Sequence, residues 1–138
     1  MRTILIPTPT TTRFGAMTPR DQARFLNIAR TAFGAALFLA PSLLGRPWIG
    51  DDADRPGTKA ALRSMGVRDA ALGIGALIAL ERDAPVRGWL EAGVLSDAGD
   101  ALGALLGWRR LPAFGRLGVL VSASGAAVVG RQLSVALS

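Results

Sequence analysis

Residues 89–108 read WLEAGVLSDAGDALGALLGW, an apolar stretch with a tryptophan at each end and two aspartates, Asp97 and Asp100, inside it. As a helix, the distance from Trp89 to Trp108 is about 28 Å, close to the roughly 30 Å hydrocarbon core of a bilayer. Tryptophan favours the two membrane–water boundaries. On that reading Asp97 lies about 12 Å and Asp100 about 16 Å in from Trp89, near the midplane. A carboxylate there is expensive and by default functional. The stretch predicts a membrane-spanning helix with charge at its centre.

Composition agrees. Half of the 138 residues are hydrophobic and 19% are charged, below the quarter or so of a soluble domain, and the mean hydropathy is +0.36. There are 17 glycines, no tyrosine and few β-branched runs, which suits an all-α membrane bundle better than a β-barrel. The absence of cysteine and histidine removes disulfides, thiol chemistry, Cys/His zinc sites, histidine acid–base catalysis and haem ligation by histidine. No cofactor and no metal site are expected. A net charge of +6 and a pI near 11.6 raise the question of nucleic acid. The arginines are spread over every segment between the apolar stretches, however, and form no single face. Anionic lipid headgroups are the expected counterpart, and nucleic acid is not.

Along the chain, residues 1–17 form a Thr/Pro-rich arm whose apolar run, Ile4-Leu5-Ile6, is too short for a secretory signal. Thr18-Pro19-Arg20-Asp21 reads as a helix start, with Thr18 as N-cap and Pro19 at the first helical position. Spans are predicted over 24–45, 64–81, 86–108 and 114–136, with a polar connection over 49–63 and a tight turn from Glu81 to Pro85. No span alone has 18 uninterrupted apolar residues, the usual signature; four in succession argue together. The competing soluble bundle lacks a polar face. Residues 117–130, LGVLVSASGAAVVG, carry no charge on any side. The expected fold is all-α, a four-transmembrane-helix bundle over 18–138.

Small residues recur at helical spacing. Gly99, Gly103 and Gly107 repeat on the third helix, Gly118, Ser122, Ala126 and Gly130 on the fourth, and Ala71, Gly75 and Ala79 on the second. Spacing of four puts each set on one face and lets backbones approach closely, the packing mode available where water cannot drive association. These stripes offer more surface than one bundle uses, so a homo-oligomer is expected, with a further membrane-protein partner as an alternative. Orientation is balanced. Seven cations (Arg2, Arg13, Arg20, Arg24, Arg82, Arg87, Arg131) fall on the N-terminal side and seven (Arg46, Arg55, Lys59, Arg63, Arg109, Arg110, Arg116) on the other. The basic N-terminal flank favours a cytoplasmic N-terminus.

Asp97 and Asp100, three apart, share a helix face with Gly93 and Ala104. Two acids so close in low dielectric call for nearby cations. Arg30 enters the first span from the Trp89 side and Arg68 enters the second from the Trp108 side. Depth allows Arg30 to meet Asp97 and Arg68 to meet Asp100, and each pairing lowers the cost of burial. Counting Arg30 and Arg68 against Asp69, Asp97 and Asp100 leaves one negative charge. That carboxylate must be protonated, bind a cation or face water. The primary expectation is a proton- or cation-coupled transporter, channel or sensor organised around Asp97 and Asp100. The alternatives are an accessory subunit whose Arg/Asp cluster only fixes helix packing, and an enzyme acting on a lipid-soluble substrate. Asp69 could instead snorkel to the interface. There is no nucleophile elbow, P-loop or dinucleotide fingerprint.

Gly66-Val67-Arg68-Asp69-Ala70-Ala71-Leu72-Gly73, followed by Ser96-Asp97-Ala98-Gly99-Asp100-Ala101-Leu102, resembles a group of small four-span bacterial membrane proteins of unknown function, common in actinobacteria. The resemblance covers about residues 24–136, with Arg68, Asp69, Asp97 and Asp100 at the group's polar positions. It implies the fold and an inner-membrane location and carries no catalytic role.

Overall fold

A computed structural model describes residues 17–138; apart from Met17, the arm expected over 1–17 lies outside the described residues. The elements are α1 (Pro19–Leu39), α2 (Pro41–Ile49), a 3₁₀ turn (Gly50–Asp54), α3 (Pro56–Glu81), α4 (Arg87–Leu106) and α5 (Ala113–Ala136), with no strand among the described residues. Helix α1 starts as its sequence dictates. The Asp21 N–H donates to Thr18 Oγ1 at 3.1 Å, the Thr18 N–H donates to the Asp21 carboxylate at 3.3 Å, and Pro19 occupies the first turn. This reciprocal box satisfies amides that otherwise lack partners.

Two boundaries differ from expectation, both because of proline. The span expected over 24–45 breaks at Ala40, and the two arms meet at 100°. Pro41 has no N–H to donate to Leu37, its ring collides with that carbonyl, and it drives Ala40 out of the helical region, to φ −127°, ψ 59°. Arg63 Nε, from α3, donates to the Phe38 carbonyl at 3.2 Å and so satisfies an end group of α1. The connection expected over 49–63 is largely helical, because Pro56 suits the first turn of α3 and starts it well before residue 64. Arg46–Asp54 and Arg55–Asp52 pairs at 2.6 and 3.0 Å tie the 3₁₀ turn down.

Among the described residues, α5 alone is long and apolar enough to cross a membrane, and α1 with α2 would be a second, broken span. Helices α3 and α4 fall short because Arg68, Asp69, Asp97 and Asp100 lie within them. Only 11% of the apolar window of α5 is buried, so most of its apolar surface faces outward.

Helix α1 packs along α3, and α4 along α5, while α1 and α4 make no close backbone approach. The four helices converge at one end on Ala23, Ala76, Ala79, Leu80, Val86, Leu90 and Leu133. One turn further in come Asn27, Gly73, Gly93 and Gly130, all buried, and beyond them Arg30, Asp69 and Asp97. Towards the far end the helices separate, and α2 lies across α5 there. A Cβ on Gly115 would collide with the Trp48 carbonyl.

Of the stripe Ala71, Gly75 and Ala79, Gly75 lies against Trp89 of α4 and Ala79 is buried in the core, whereas most members of the other two stripes meet no neighbouring helix. Gly99, Gly103 and Gly118 have no neighbour within 4 Å of a would-be Cβ, and Gly107 meets only its own helix and the adjoining Leu111. Ser122 is exposed and donates to the Gly118 carbonyl of its own helix at 2.7 Å, while Ala126 lines a cavity. Of that set only Gly130 approaches another helix, at Val94. The close crossing is α1–α3. A Cβ on Gly34 would stand 2.5 Å from the Gly66 carbonyl oxygen, and one on Gly73 2.7 Å from the Asn27 carbonyl oxygen. Gly34→Leu is expected to destabilise the fold by about 1–3 kcal/mol through overpacking. Gly99→Ala should leave stability unchanged or raise it by up to about 1 kcal/mol. Unfolding followed by circular dichroism distinguishes the two.

Candidate functional site

The charge layer brings together all five residues singled out above. Arg30, from α1, donates to both Asp97 oxygens, Nη1 to Oδ1 at 3.0 Å and Nη2 to Oδ2 at 2.5 Å. Arg68, from α3, forks onto Asp100 in the same way, at 3.1 and 2.7 Å. These are the partners that helical depth allowed. Each fork joins the α1–α3 pair to the α4–α5 pair. Two parallel N–H···O bonds give such contacts directional as well as electrostatic strength. Gly93 lies directly against the first fork, where a Cβ would stand 3.4 Å from Arg30 Nη2.

Asp69 links the forks. Its Oδ1 accepts from Arg68 Nε at 3.2 Å and Nη2 at 3.1 Å, and lies 3.6 Å from Arg30 Nη1. The result is a chain of alternating charge, Asp97–Arg30–Asp69–Arg68–Asp100, with three negative members and two positive ones. Asp69 therefore does not snorkel to an interface; its side chain is turned inward and is 9% exposed. Every oxygen of Asp97 and Asp100 accepts a guanidinium proton, whereas Asp69 Oδ2 has no hydrogen-bond partner among the described residues. The surplus negative charge counted from sequence is thus focused on Asp69, and the Asp97 and Asp100 emphasised earlier are the better neutralised carboxylates.

A cavity of about 340 Å³ opens above this layer. Arg30, Asp69, Asp97 and Asp100 form its charged floor, and Leu26, Phe33, Trp48, Met65, Val119, Ala123 and Ala126 are among its walls. Ala29, Phe33 and Ser122, also lining it, are exposed, so it opens on the flank between α1 and α5. Sequence reasoning did not find Trp48, which it placed just beyond the first span. The turn at Pro41 folds it back over the cavity. The proline itself was the available signal.

The remaining charges sit at the two ends. Arg20–Asp83, Arg24–Glu81 and Arg87–Glu91 pairs cluster at the converging end. Glu91 also lies 3.7 Å from Arg131. At the other end the Arg116 guanidinium stacks 4.7 Å from the Trp108 ring centroid. There too the Arg46 guanidinium, donating to Asp54, holds that carboxyl below its ordinary range. No group of acidic residues able to hold a metal ion occurs among the described residues.

No protein-family model, curated protein or solved structure matches this chain. The likeness to small four-span bacterial proteins stands on the two short motifs around Arg68-Asp69 and Asp97-Gly99-Asp100 alone.

Removing one member of a buried pair leaves the other charge uncompensated, at a typical cost of about 3–5 kcal/mol, whereas an apolar pair of similar volume is often neutral. Arg30→Met and Asp97→Leu are each expected to fall in the first range. The double variant should recover most of the loss in a mixed-micelle unfolding titration. Additive losses would show that the fork carries no coupling energy.

Proposed function

We propose that this chain is a four-span integral membrane protein in which the Arg/Asp layer is a proton- or cation-handling site, serving as a small transporter, channel or sensor. The observation that carries the reading is an inverted distribution of polarity. Asp97 is 7% exposed at the bundle centre, while Leu39, Leu95, Phe114 and Leu106 on the outside are 76–81% or, for Leu95, 75% exposed. Water penalises that arrangement and hydrocarbon favours it. On the outer surface of α4 the interval from Glu91 to the helix end at Leu106 corresponds to about 22 Å of helix, and the turn that leads on to Arg109 brings it nearer to a bilayer core of about 30 Å. Helices α3 and α4 cross despite their central charges because those charges are paired inside the bundle.

An inner-membrane location with a cytoplasmic N-terminus belongs to the same proposal, as does self-association. Gly99, Gly103 and Gly118 leave open surface for a second copy or another membrane protein. The accessory-subunit reading is favoured by one specific observation. Both Asp97 and Asp100 are fully engaged in forks between helix pairs, as residues that set packing would be. An enzyme on a lipid-soluble substrate ranks third, since the cavity pairs one open carboxylate oxygen, on Asp69, with a single lining hydroxyl, Ser122, that already donates to the Gly118 carbonyl.

The membrane reading predicts retention through alkaline carbonate washing and flotation with lipid. The ion-handling reading predicts proton or monovalent-cation flux in proteoliposomes above empty vesicles. Asp69→Asn should reduce that flux at least tenfold while helical circular dichroism is unchanged. Flux unaffected by Asp69→Asn, or no flux at all with a stoichiometric partner in mild-detergent pull-downs, would favour the accessory role.

A further inference from the structure

Resting on the membrane reading above, we propose that the cavity binds a compact lipophilic monocation, a quaternary ammonium or protonated amine bearing one apolar group. The ligand enters through the flank between α1 and α5 and sets its charge against Asp69 Oδ2. Four observations lead there. The volume of about 340 Å³ lies at the lower end of the range for small-molecule pockets. Most of its wall is aliphatic or aromatic, which selects an apolar body. Its floor exposes three carboxylates to one guanidinium, and Arg68 behind Asp100 leaves a single net negative charge. The open acceptor in that floor belongs to an inward-turned side chain that is 9% exposed.

Other ligand classes fit less well. An anion would meet a floor of net negative charge, three carboxylates against one lining guanidinium that is already forked onto Asp97. A divalent metal ion wants six or more oxygens, and one is open. A neutral apolar solute would fill the walls and leave Asp69 Oδ2 facing a dry cavity, with the desolvation cost unrelieved. A monocation relieves it without displacing either fork. Trp48 and Phe33 among the lining residues supply the ring faces that attract quaternary ammonium groups.

The test uses the full chain in phosphatidylcholine nanodiscs, with empty nanodiscs as the blank. Equilibrium binding of labelled phenyltrimethylammonium is measured, and tert-butylbenzene, its uncharged isostere, serves as competitor. The expected result is saturable binding of one cation per chain, with the isostere competing at least tenfold less well. Asp69→Asn should weaken binding at least tenfold. Ala126→Leu, which narrows the cavity and leaves the charge layer intact, should weaken it as well. It keeps the test decisive should Asp69→Asn not fold. Equal competition by the isostere, or full affinity in either folded variant, overturns the proposal. Absence of saturable binding by protein that resists carbonate washing overturns the ligand class and leaves the membrane reading standing. Protein that washes off the membrane overturns both.

Discussion

Two guanidinium–carboxylate forks, Arg30 on Asp97 and Arg68 on Asp100, govern how this chain holds together. Helices α1 and α3 form one tightly packed pair and α4 and α5 another, and between the pairs the backbone contacts are few. Apolar contact joins them at the Ala76–Leu90–Leu133 end, and the forks take over where that contact stops. Burying Arg30, Asp69 and Asp97, with Arg68 and Asp100 half-buried beside them, is tolerable only where each has a geometrically good partner. That demand explains the layer beneath them. Gly93 leaves space for a guanidinium, and Gly34, Gly66 and Gly73 let α1 and α3 approach until Arg30 and Asp69 can share a bridge.

The same requirement explains why the outside of the molecule is greasy. With the polar groups drawn to the centre and to the two ends, the band between them has only apolar side chains and small residues to show. Phe25 of α1, Val67 and Ile74 of α3, Leu95 and Leu106 of α4, and Phe114 and Val121 of α5 are all exposed, so apolar side chains stand outward on every long helix. A sided patch would suit one protein partner. A girdle on all sides suits a surrounding solvent that is itself apolar.

Much of this was legible in the sequence, and for identifiable reasons. Helical rise alone assigned Arg30 to Asp97 and Arg68 to Asp100, because depth along a rigid rod is a one-dimensional quantity. The N-cap at Thr18 and the turn at Pro85 depend on local chemistry and were equally readable. The α1–α2 bend was missed because a hydropathy window passes smoothly over Pro41, although that residue's missing N–H fixes the break. The stripes on α4 and α5 are a different matter, since only Gly130 among them meets another helix. Where small residues occupy every face of a helix, spacing of four is satisfied several ways, and only the partner decides among them. The face actually used on α3 runs through Gly66, Asp69 and Gly73, and its polar member gave no hint of close packing. Asp69 was ranked below Asp97 and Asp100 for a related reason. Sequence counts a surplus charge but does not say which carboxylate is left with an open oxygen.

The bend at Pro41 matters beyond the topology. It lays Trp48 over the far end of the cavity against Gly115, while the Ala23–Leu90–Leu133 contacts close the near end. The route that remains is the flank bounded by Ala29, Phe33 and Ser122. In a bilayer that flank meets acyl chains and neither aqueous compartment directly. The concentration that governs occupancy is then the one dissolved in the membrane, so a solute's partition coefficient enters its apparent affinity alongside its fit. Two ligands with identical contacts to the cavity would be separated by their solubility in oil.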